Sequence, residues 1–357
     1  MTTFIVVGDP HIKTTNIPEF NLFLERLLIL IEDRKPDFIV DLGDTLNDHE
    51  RLHTTALNKA YEFIDKLRNL APTYVLVGNH DATTNTIFLT DNHWLNGMKE
   101  WKNVVVVDTV RTLKVNNQLF MFCPYVPNGR FIEALDTCQE ESWKKATCIF
   151  AHQEFYGCSM NAITSVEGDR WKESYPNVIS GHIHAKQKLQ SNIYYTGSAM
   201  QHAFGESTKN IIAVVTFGEK DTAAGAYDLE EVDLKLPRKK IVHTTVEDMD
   251  SYEVPEEEDK DSVKITISGV YEQFKSFKKT KKYKEIIKSG TKIVFKPKKI
   301  QTETKVELEN EQESDFRVIL SSLVNQAKDP YLYQTHEYIV NGKDISENDV
   351  LFLPEVK

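Results

Sequence analysis

Residues 4–11 read FIVVGDPH, and this stretch decides the fold. Its four apolar residues predict a buried strand, and Gly8 then allows a sharp turn after which Asp9 and His11 project. A carboxylate and an imidazole at the end of a strand are typical of a turn cap as well as of a metal site. The pair gains weight because the same arrangement recurs four more times along the chain.

The recurrences are four further apolar runs that end in side chains able to bind a metal. They are DFIVDLGD (37–44) with Asp44, TYVLVGNHD (73–81) with Asn79 and His80, TCIFAH (147–152) with His152, and NVISGHIH (177–184) with His182 and His184. Apolar residues at helical spacing in 20–31 and 52–70 predict crossover helices between parallel strands of an α/β protein. Because functional groups gather outside the ends of such strands, we expect the five ends to converge on one small volume.

The side chains at these ends form a ligand set rich in imidazole and oxygen and free of thiolate. The seven metal-ligand candidates are Asp9, His11, Asp44, Asn79, His152, His182 and His184. This inventory suits two octahedral first-row ions rather than one tetrahedral zinc. Asp44 is the natural bridge between two ions, and His80 is free to donate a proton to a leaving oxygen.

Composition limits the cellular compartments and the protein classes to which the chain can belong. The chain has 357 residues, 27% of them charged, and no apolar run approaches the roughly 18 residues of a membrane span. The start MTTFIVVGDP lacks the features of a signal peptide, and the four cysteines show no paired CxxC spacing. We therefore expect a cytoplasmic protein, or a nuclear one in a eukaryote, that is not secreted and has no membrane partner.

The formal net charge of −11 conceals a segregation of the two signs. Residues 247–261 hold nine acidic residues and one lysine, whereas residues 275–299 hold eleven lysines and one glutamate. The basic stretch is consistent with a solvated helix face and with a face that contacts DNA phosphates. The candidate DNA-binding residues are Lys278, Lys279, Lys281, Lys282 and Lys284.

The order Asp-x-His, Gly-Asp, Gly-Asn-His-Asp, His and Gly-His-x-His resembles the five motifs of the calcineurin-like metallophosphoesterases. The resemblance implies a four-layer αββα sandwich and hydrolysis of phosphate esters with two metals, commonly manganese in the nucleases of the family. It also implies the ligand sets: Asp9, His11, Asp44 and His184 for one ion, and Asp44, Asn79, His152 and His182 for the other. The same motifs make His80 the catalytic histidine.

The branch of the family follows from shorter stretches. GDTLNDHE (43–50) lacks the Asp-Arg-Gly segment of serine/threonine phosphatases, whereas CPYVP (123–127) and YTGSAMQHAFGE (195–206) resemble the SbcD-type double-strand-break repair nucleases. These nucleases carry a His or Asp that supports the catalytic histidine at the position of Asn47. The Asn47 amide is able to orient His80 through a hydrogen bond, and Asp48 and His49 are alternatives.

This resemblance implies three domains. They are a nuclease domain (1–236), a small α+β capping domain that contacts DNA (237–300) and a C-terminal extension (301–357). In the extension, Phe316, Ile319, Leu320 and Leu323 lie at helical spacing and fit either packing within their own domain or docking on an SbcC-type SMC ATPase. The family also suggests a homodimer through segments 52–70 and 86–101.

Three functions remain open. The first is a DNA nuclease, with duplex-end exonuclease and single-strand endonuclease activities, that acts with an ATPase in DNA repair, recombination or replication. The second is a phosphoesterase that acts on nucleotides or phosphoproteins with the same core. The third is a non-catalytic scaffold, against which the intact ligand set speaks.

Overall fold

The computed structural model describes residues 1–160, 163–218, 226–253, 261–298 and 316–340. The strands are β1 (Thr2–Val7), β2 (Phe38–Asp41), β3 (Thr73–Leu76), β4 (Val104–Val107), β5 (Arg111–Val115), β6 (Gln118–Cys123), β7 (Cys148–Ala151), β8 (Ser159–Met160), β9 (Ile163–Thr164), β10 (Asn177–Ser180), β11 (Gln187–Gln190), β12 (Ile193–Tyr195), β13 (Ile212–Phe217), β14 (Tyr227–Val232), β15 (Lys239–Thr245), β16 (Ser262–Gly269) and β17 (Lys292–Pro297). The α-helices are α1 (Ile17–Arg34), α2 (Thr54–Arg68), α3 (Phe131–Asp136), α4 (Tyr271–Phe277), α5 (Lys281–Lys288), α6 (Phe316–Ala327) and α7 (Pro330–Val340).

Two six-stranded sheets form the core of the protein. Their strand orders are β14-β13-β1-β2-β3-β4 and β11-β12-β10-β7-β6-β5. Strands β1 to β4 pair in parallel, as do β6, β7, β10 and β12, because helices or long connections return the chain to the same edge. The carboxyl ends of these parallel strands therefore share one edge in each sheet.

The layers follow from the period-two alternation of the strands. In β1, Phe4 and Val6 pack between the sheets, whereas Ile5 and Val7 pack beneath α1 and α2. Phe131 of α3 belongs to a third core, on the outer face of the second sheet. The predicted α/β fold, a four-layer αββα sandwich, is therefore confirmed.

Helix α1 shows how the local sequence sets its bounds. A proline at the first turn favours its start, and Lys35 ends it in the left-handed conformation with φ 46°. Pro36 follows and cannot continue the helix. The sequence predicts a helical stretch over residues 129–145, whereas in the structure these residues form only the short helix α3 and a 3-10 turn at Trp143–Lys145.

A third, three-stranded parallel sheet, β15-β16-β17, carries α4 and α5 on one face. Ile265, Ile267, Phe274 and Ile286 form the core between this sheet and its helices. We call residues 239–298 the basic module. The sequence predicts a strand, one helix and a strand; the structure divides the helix in two at Thr280, whose hydroxyl caps α5, and adds β15. The sequence alone indicates a connector at the start of β15, because basic residues precede its β-branched run.

By internal contacts the chain divides into two compact units, residues 1–298 and 299–357. In the second unit, α6 and α7 pack on each other, and the Ser321 hydroxyl lies 3.1 Å from Nε2 of His336. The domain boundaries at residues 236 and 300 stay predictions. None of the helices in the described ranges is both long and apolar enough to cross a membrane.

Candidate metal centre

The ends of β1, β2, β3, β7 and β10 bring the seven candidate ligands into one cluster. Main-chain bonds fix these ends against each other: the amide of Leu42 donates to Val7, and the amide of His11 donates to Asp44, both at 2.9 Å. Gly78 allows the closest approach, since a β-carbon there would lie 2.2 Å from Oδ1 of Asp44. The cluster is therefore built by the strand ends that the sequence indicates.

The first half of the cluster contains Asp9, His11, Asp44 and His184. The Nε2 atoms of His11 and His184 lie 2.9 Å apart, and Nε2 of His11 lies 3.6 Å from Oδ2 of Asp44. Oδ1 of Asp9 accepts a hydrogen bond from the amide of His182, whereas its buried Oδ2 atom has no hydrogen-bond partner among the described residues. Two imidazole nitrogens and the Asp44 carboxylate therefore lie close together, and Asp9 adds a buried carboxylate oxygen without a partner in the described ranges.

The second half contains Asn79, His152 and His182, together with Asp44. Oδ1 of Asn79 lies 3.0 Å from Nε2 of His152 and 2.8 Å from Nδ1 of His182. Nε2 of His152 also lies 3.4 Å from Oδ2 of Asp44. The same oxygen of Asp44 therefore faces both halves, which suits a bridging ligand.

The donor set fits a pair of divalent cations. Two imidazole Nε2 atoms within 2.9 Å and a buried carboxylate oxygen with no partner in the described ranges are arrangements that a shared cation satisfies. Two groups, His11 with Asp44 and His80, and Asp44 with His152 and His182, have ligand atoms within 4.8 Å of one another. Imidazole nitrogen and carboxylate or amide oxygen, without sulfur, suit octahedral divalent ions.

Backbone conformation at the cluster is unusual. Asp9, His11, Asp44 and His182 all have positive φ values, of 42°, 44°, 53° and 77°. Residues other than glycine rarely adopt this conformation, which costs about 1–3 kcal/mol each, although Asp and His tolerate it better than most. The strand ends are therefore bent in a way that aims side chains inward at the expense of local stability.

Three ligand imidazoles have a partner on the side that faces away from the cluster. Nδ1 of His152 donates to the carbonyl oxygen of Leu42 at 2.7 Å. Nε2 of His182 lies 3.9 Å from Glu154, and Nδ1 of His184 lies 3.4 Å from Glu206. Such outer partners fix which nitrogen carries the proton and which is left for a metal.

The buried carboxylates and imidazoles of the cluster shift one another's pKa values. Burial alone would lower the pKa of His152, but the carboxylates of Asp44 and Asp9 raise that pKa to about 9. Burial likewise favours a raised pKa for Asp44, yet the imidazoles around it hold the pKa well below its usual range. Asp44 is therefore ionised, and its negative charge favours a cation in each half of the cluster.

His80 lies beside the cluster with its ring in edge contact with His11, at 4.9 Å between centroids. Its Nδ1 atom lies 2.6 Å from the main-chain carbonyl oxygen of Asn47, so the ring donates this bond. The Asn47 amide instead donates to Asp48 at 3.0 Å. His49 stacks on His80 at 4.3 Å with 22° between the ring planes. Residue 47 thus contacts the histidine through its backbone, a bond that does not depend on its side chain.

Asp81 connects two of the strand ends. Its carboxylate accepts hydrogen bonds from the amides of Gly78 and Leu46 and from Nε1 of Trp94. Burial and the nearby charge of Asp44 raise the pKa of Asp81 to about 6. Its contacts are those of a group that fixes the loops.

Two acidic residues at the cluster, Glu154 and Glu206, are not among the sequence candidates, whereas His202 is the remaining histidine that its place after the last motif favours. Glu154 follows His152 by two positions, and Glu206 and His202 lie in the segment 195–206 that carries the family resemblance. Nε2 of His202 donates to the main-chain carbonyl oxygen of Asp9 at 2.9 Å. The resemblance of segment 195–206 to the family is the sequence signal that points to Glu206 and His202. The residue types alone do not reveal which groups they contact.

The five candidate lysines do not belong to the cluster. Two of them lie in the connection between α4 and α5 and three on α5, and all are exposed except the half-buried Lys282. Elsewhere on the module, Nζ of Lys264 and Nζ of Lys292 lie 5.8 and 5.7 Å from the ring centroid of Phe204. Phe204 belongs to the loop that also holds His202 and Glu206, so this loop connects these two lysines to the ligand cluster.

Comparison with known proteins agrees with this geometry. Residues 2–186 match the family model described as "Calcineurin-like phosphoesterase". The chain is 45% identical over 296 residues to "Putative phosphoesterase 078R" of Invertebrate iridescent virus 3, covering 82% of this chain and 84% of that protein. It is also 45% identical over 277 residues to "Putative phosphoesterase 244L" of Invertebrate iridescent virus 6, covering 78% of this chain and 97% of that protein.

Solved structures show more distant similarity. A dimetal phosphatase from Danio rerio is 11% identical with a TM-score of 0.46, covering 65% of this chain and 96% of that one. The protein TT1561 of Thermus thermophilus is 12% identical with a TM-score of 0.42, covering 65% of this chain and 99% of that one.

Proposed function

Because the chain belongs to the calcineurin-like phosphoesterase family, we propose that it is a metal-dependent DNA nuclease of the SbcD-type branch. The observation that carries the proposal is that a basic module adjoins the ligand cluster through one loop. Phe204 in this loop contacts Lys264 and Lys292 of the module, and Glu206 in the same loop contacts His184. A phosphodiesterase centre beside a basic surface suits a long polyanion better than a small phosphate ester.

The ligand cluster would hold two ions, Mn²⁺ or Mg²⁺, with Asp44 between them. When bound, such a pair supplies charge stabilisation and activation of water against a phosphate ester. His80 is held by its bond to the Asn47 carbonyl so that its other nitrogen, Nε2, is free for substrate. In its protonated form that nitrogen is able to donate to the oxygen that leaves phosphorus, while the bond at Nδ1 keeps the ring in place.

The basic module would contact the phosphate backbone without reading sequence. Lys264 and Lys292 are paired in register across β16 and β17, and their face of the sheet is the one that meets the loop of Phe204. The five lysines of α4 and α5 would add contacts to a duplex that extends past the module. Such contacts make binding strongly dependent on salt.

A substrate panel tests the proposal. Purified protein with Mn²⁺ is incubated with linear duplex DNA, circular single-stranded DNA, nucleotides and phosphopeptides, and the products are quantified. We expect degradation of the linear duplex from its ends and nicking of the single strand. The matched control is His80→Ala, which keeps the ligand set and should lack turnover with every substrate.

The panel also decides between the candidate functions. Cleavage of nucleotides or phosphopeptides with intact DNA would contradict the nuclease proposal and favour the second function, a small-molecule or phosphoprotein phosphoesterase. A folded protein that hydrolyses none of the substrates would favour the scaffold. The metal preference is read by repeating the panel with Mg²⁺.

The two-helix unit of α6 and α7 is the proposed contact for an SbcC-type SMC ATPase. Ile319 and Leu323, one helical turn apart, are 47% and 58% exposed, whereas the adjacent Val324 is buried. An apolar pair left on the outside of a short helix suits docking on a partner helix. Leu323→Asp should weaken binding of a co-encoded ATPase in a pull-down, with Asn325→Asp as the matched control. Equal binding by both variants would contradict this partner site.

Homodimerisation through segments 52–70 and 86–101 and location in the cytoplasm or nucleus remain predictions. Light scattering of the purified full chain tests the first. Imaging of the tagged chain in its host cell tests the second.

A further inference from the structure

Glu206 lies outside the ligand set, but its carboxylate contacts three groups around the metal centre. Oε1 lies 3.4 Å from Nδ1 of His184. Oε2 accepts hydrogen bonds from the amides of His202 and Ala203, both at 2.8 Å. The side chain is 17% exposed and is therefore mostly enclosed by these partners.

We propose that Glu206 is a positioning residue that fixes the orientation and tautomer of the metal ligand His184. An ionised carboxylate only accepts hydrogen bonds, so Nδ1 of His184 must carry the proton. The lone pair is then on Nε2, which faces Nε2 of His11 at 2.9 Å. Removing the carboxylate would free the ring to rotate and to change tautomer.

The surroundings of the Glu206 carboxylate favour its ionised form. Two main-chain amides, those of His202 and Ala203, donate to the same oxygen, Oε2. Hydrogen bonds donated to a carboxylate stabilise its charged form.

The loop that carries Glu206 is itself held in place. The side-chain amide of Gln201 donates to the carbonyl oxygens of Glu206 and Lys239, each at 3.2 Å. In return the amide of Lys239 donates to Oε1 of Gln201 at 2.6 Å. One polar side chain therefore connects both ends of the loop to the start of β15. A carboxylate on a braced loop is able to orient an imidazole, whereas one on a free side chain is not.

The neighbouring ligand His182 has a different outer partner from that of His184. His182 presents Nδ1 to the cluster and Nε2 to Glu154, at the longer distance of 3.9 Å. The two histidines of Gly-His-Ile-His therefore use opposite nitrogens toward the cluster. His184, whose ring is 34% exposed, depends more on an outer partner than the fully buried His152.

Metal titration of the intact chain tests the role of Glu206. Mn²⁺ binding to wild type, Glu206→Gln and Glu206→Ala is followed by calorimetry, and thermal unfolding of each metal-free protein is recorded separately. Loss of an outer partner commonly weakens metal affinity by about 10- to 100-fold. We expect that loss at one of two sites in Glu206→Ala and a smaller loss in Glu206→Gln, which keeps one oxygen. Glu25→Gln, an exposed glutamate on α1, is the matched control.

A second readout follows the proton directly. In protein labelled with ¹⁵N-histidine and loaded with diamagnetic Zn²⁺, Nδ1 of His184 should be protonated in the wild type. The signal should broaden or move in Glu206→Ala. Glu206→Gln carries the test if Glu206→Ala does not fold.

The outcomes separate this role from the proposed function, on whose metal centre it rests. A variant that unfolds at lower temperature yet binds both ions as tightly as the wild type would reduce Glu206 to a loop cap and overturn the proposal. A wild-type protein that binds no Mn²⁺ would overturn the metal centre and this role together. DNA cleavage does not enter the readout, so a failure of the nuclease proposal alone leaves the expected affinities unchanged.

Discussion

The Nδ1 atom of His80 lies 2.6 Å from the main-chain carbonyl oxygen of Asn47. This bond orients His80, which we do not count as a metal ligand, and it leaves the Nε2 atom of that ring free for a substrate. Because the acceptor is a backbone atom, the orientation of His80 depends on the loop after β2 rather than on the residue type at position 47. Two predictions rest on this relationship.

Replacing His80 by alanine should remove turnover and leave the metal content unchanged. General acid catalysis typically contributes about 10²- to 10⁴-fold to a rate, and no ligand is lost with the side chain. The measurement is steady-state hydrolysis of bis(p-nitrophenyl) phosphate together with elemental analysis of the same sample. Loss of either ion in this variant would instead make His80 a ligand.

Asn47→Ala should change the rate little, because the carbonyl oxygen stays in place. His49→Ala should cost more, since the stacked ring at 4.3 Å is lost. Aromatic stacking worth about 0.5–1.5 kcal/mol corresponds to about a two- to tenfold effect on the rate. Relative kcat values of the two variants decide the point. A larger loss in Asn47→Ala than in His49→Ala would show that the amide, not the backbone, supports His80.

Neutralising the lysines of the basic module should weaken DNA binding and flatten its salt dependence. Each lost phosphate contact on duplex DNA reduces the slope of log K against log salt by about 0.9. The Lys264→Gln, Lys292→Gln pair and the five-residue set on α4 and α5 are compared by fluorescence anisotropy at several salt concentrations. Lys144→Gln with Lys145→Gln, which precede the amino end of β7, is the charge-matched control. A slope equal to that of wild type would assign either set to a solvated surface.

Asp108 should stabilise the fold in a pH-dependent way. Its buried carboxylate lies 2.5 Å from Lys99 and 3.4 Å from His93. Burial alone would raise the pKa of Asp108, but these partners hold that pKa well below its usual range. Asp108→Asn should lower the free energy of unfolding by about 1.5–3 kcal/mol at pH 7, as expected for bonds to charged groups.

The sign of the Asp108 effect follows from linkage. A carboxyl whose pKa is lower in the folded state contributes its full stability above the unfolded pKa of about 4 and loses it as the pH falls through the folded value. Thermal unfolding at a series of pH values should therefore show wild type and Asp108→Asn converging below pH of about 4. The exposed Asp228→Asn is the control. A difference that is constant down to acid pH would rule out the ionised carboxylate as its source.

Residue type predicts which side chains form the ligand cluster. It does not predict the groups that orient those side chains. Asp9, Asp44 and His152 each follow an apolar run, and the parallel strands that such runs form end at a common edge. The acceptor for His80 is a backbone carbonyl, which has no signature in the sequence. Glu206 reaches His184 across 22 residues through a loop whose path depends on tertiary contacts with β15.

The sequence predicts most of the fold, but not every strand. Strand periodicity and helical spacing define the two sheets and α1 and α2, because burial imposes those patterns. The sequence alone does not identify β15, because its first lysines continue a basic connector, although the adjacent β16 pairs with it along seven residues. Whether such a segment forms a strand depends on the strand that pairs with it, and that partner can lie far away in the sequence.

The most direct test of the central claim is the Mn²⁺ stoichiometry of the wild type and of Asp44→Asn, measured by calorimetry and elemental analysis. Asparagine tolerates the positive φ of 53° at this position, so the variant removes the bridging charge with little change in backbone. We predict two ions per chain in the wild type and the loss of both at micromolar Mn²⁺ in the variant. A folded wild type that takes up no Mn²⁺, or an Asp44→Asn variant that retains both ions, would contradict the account.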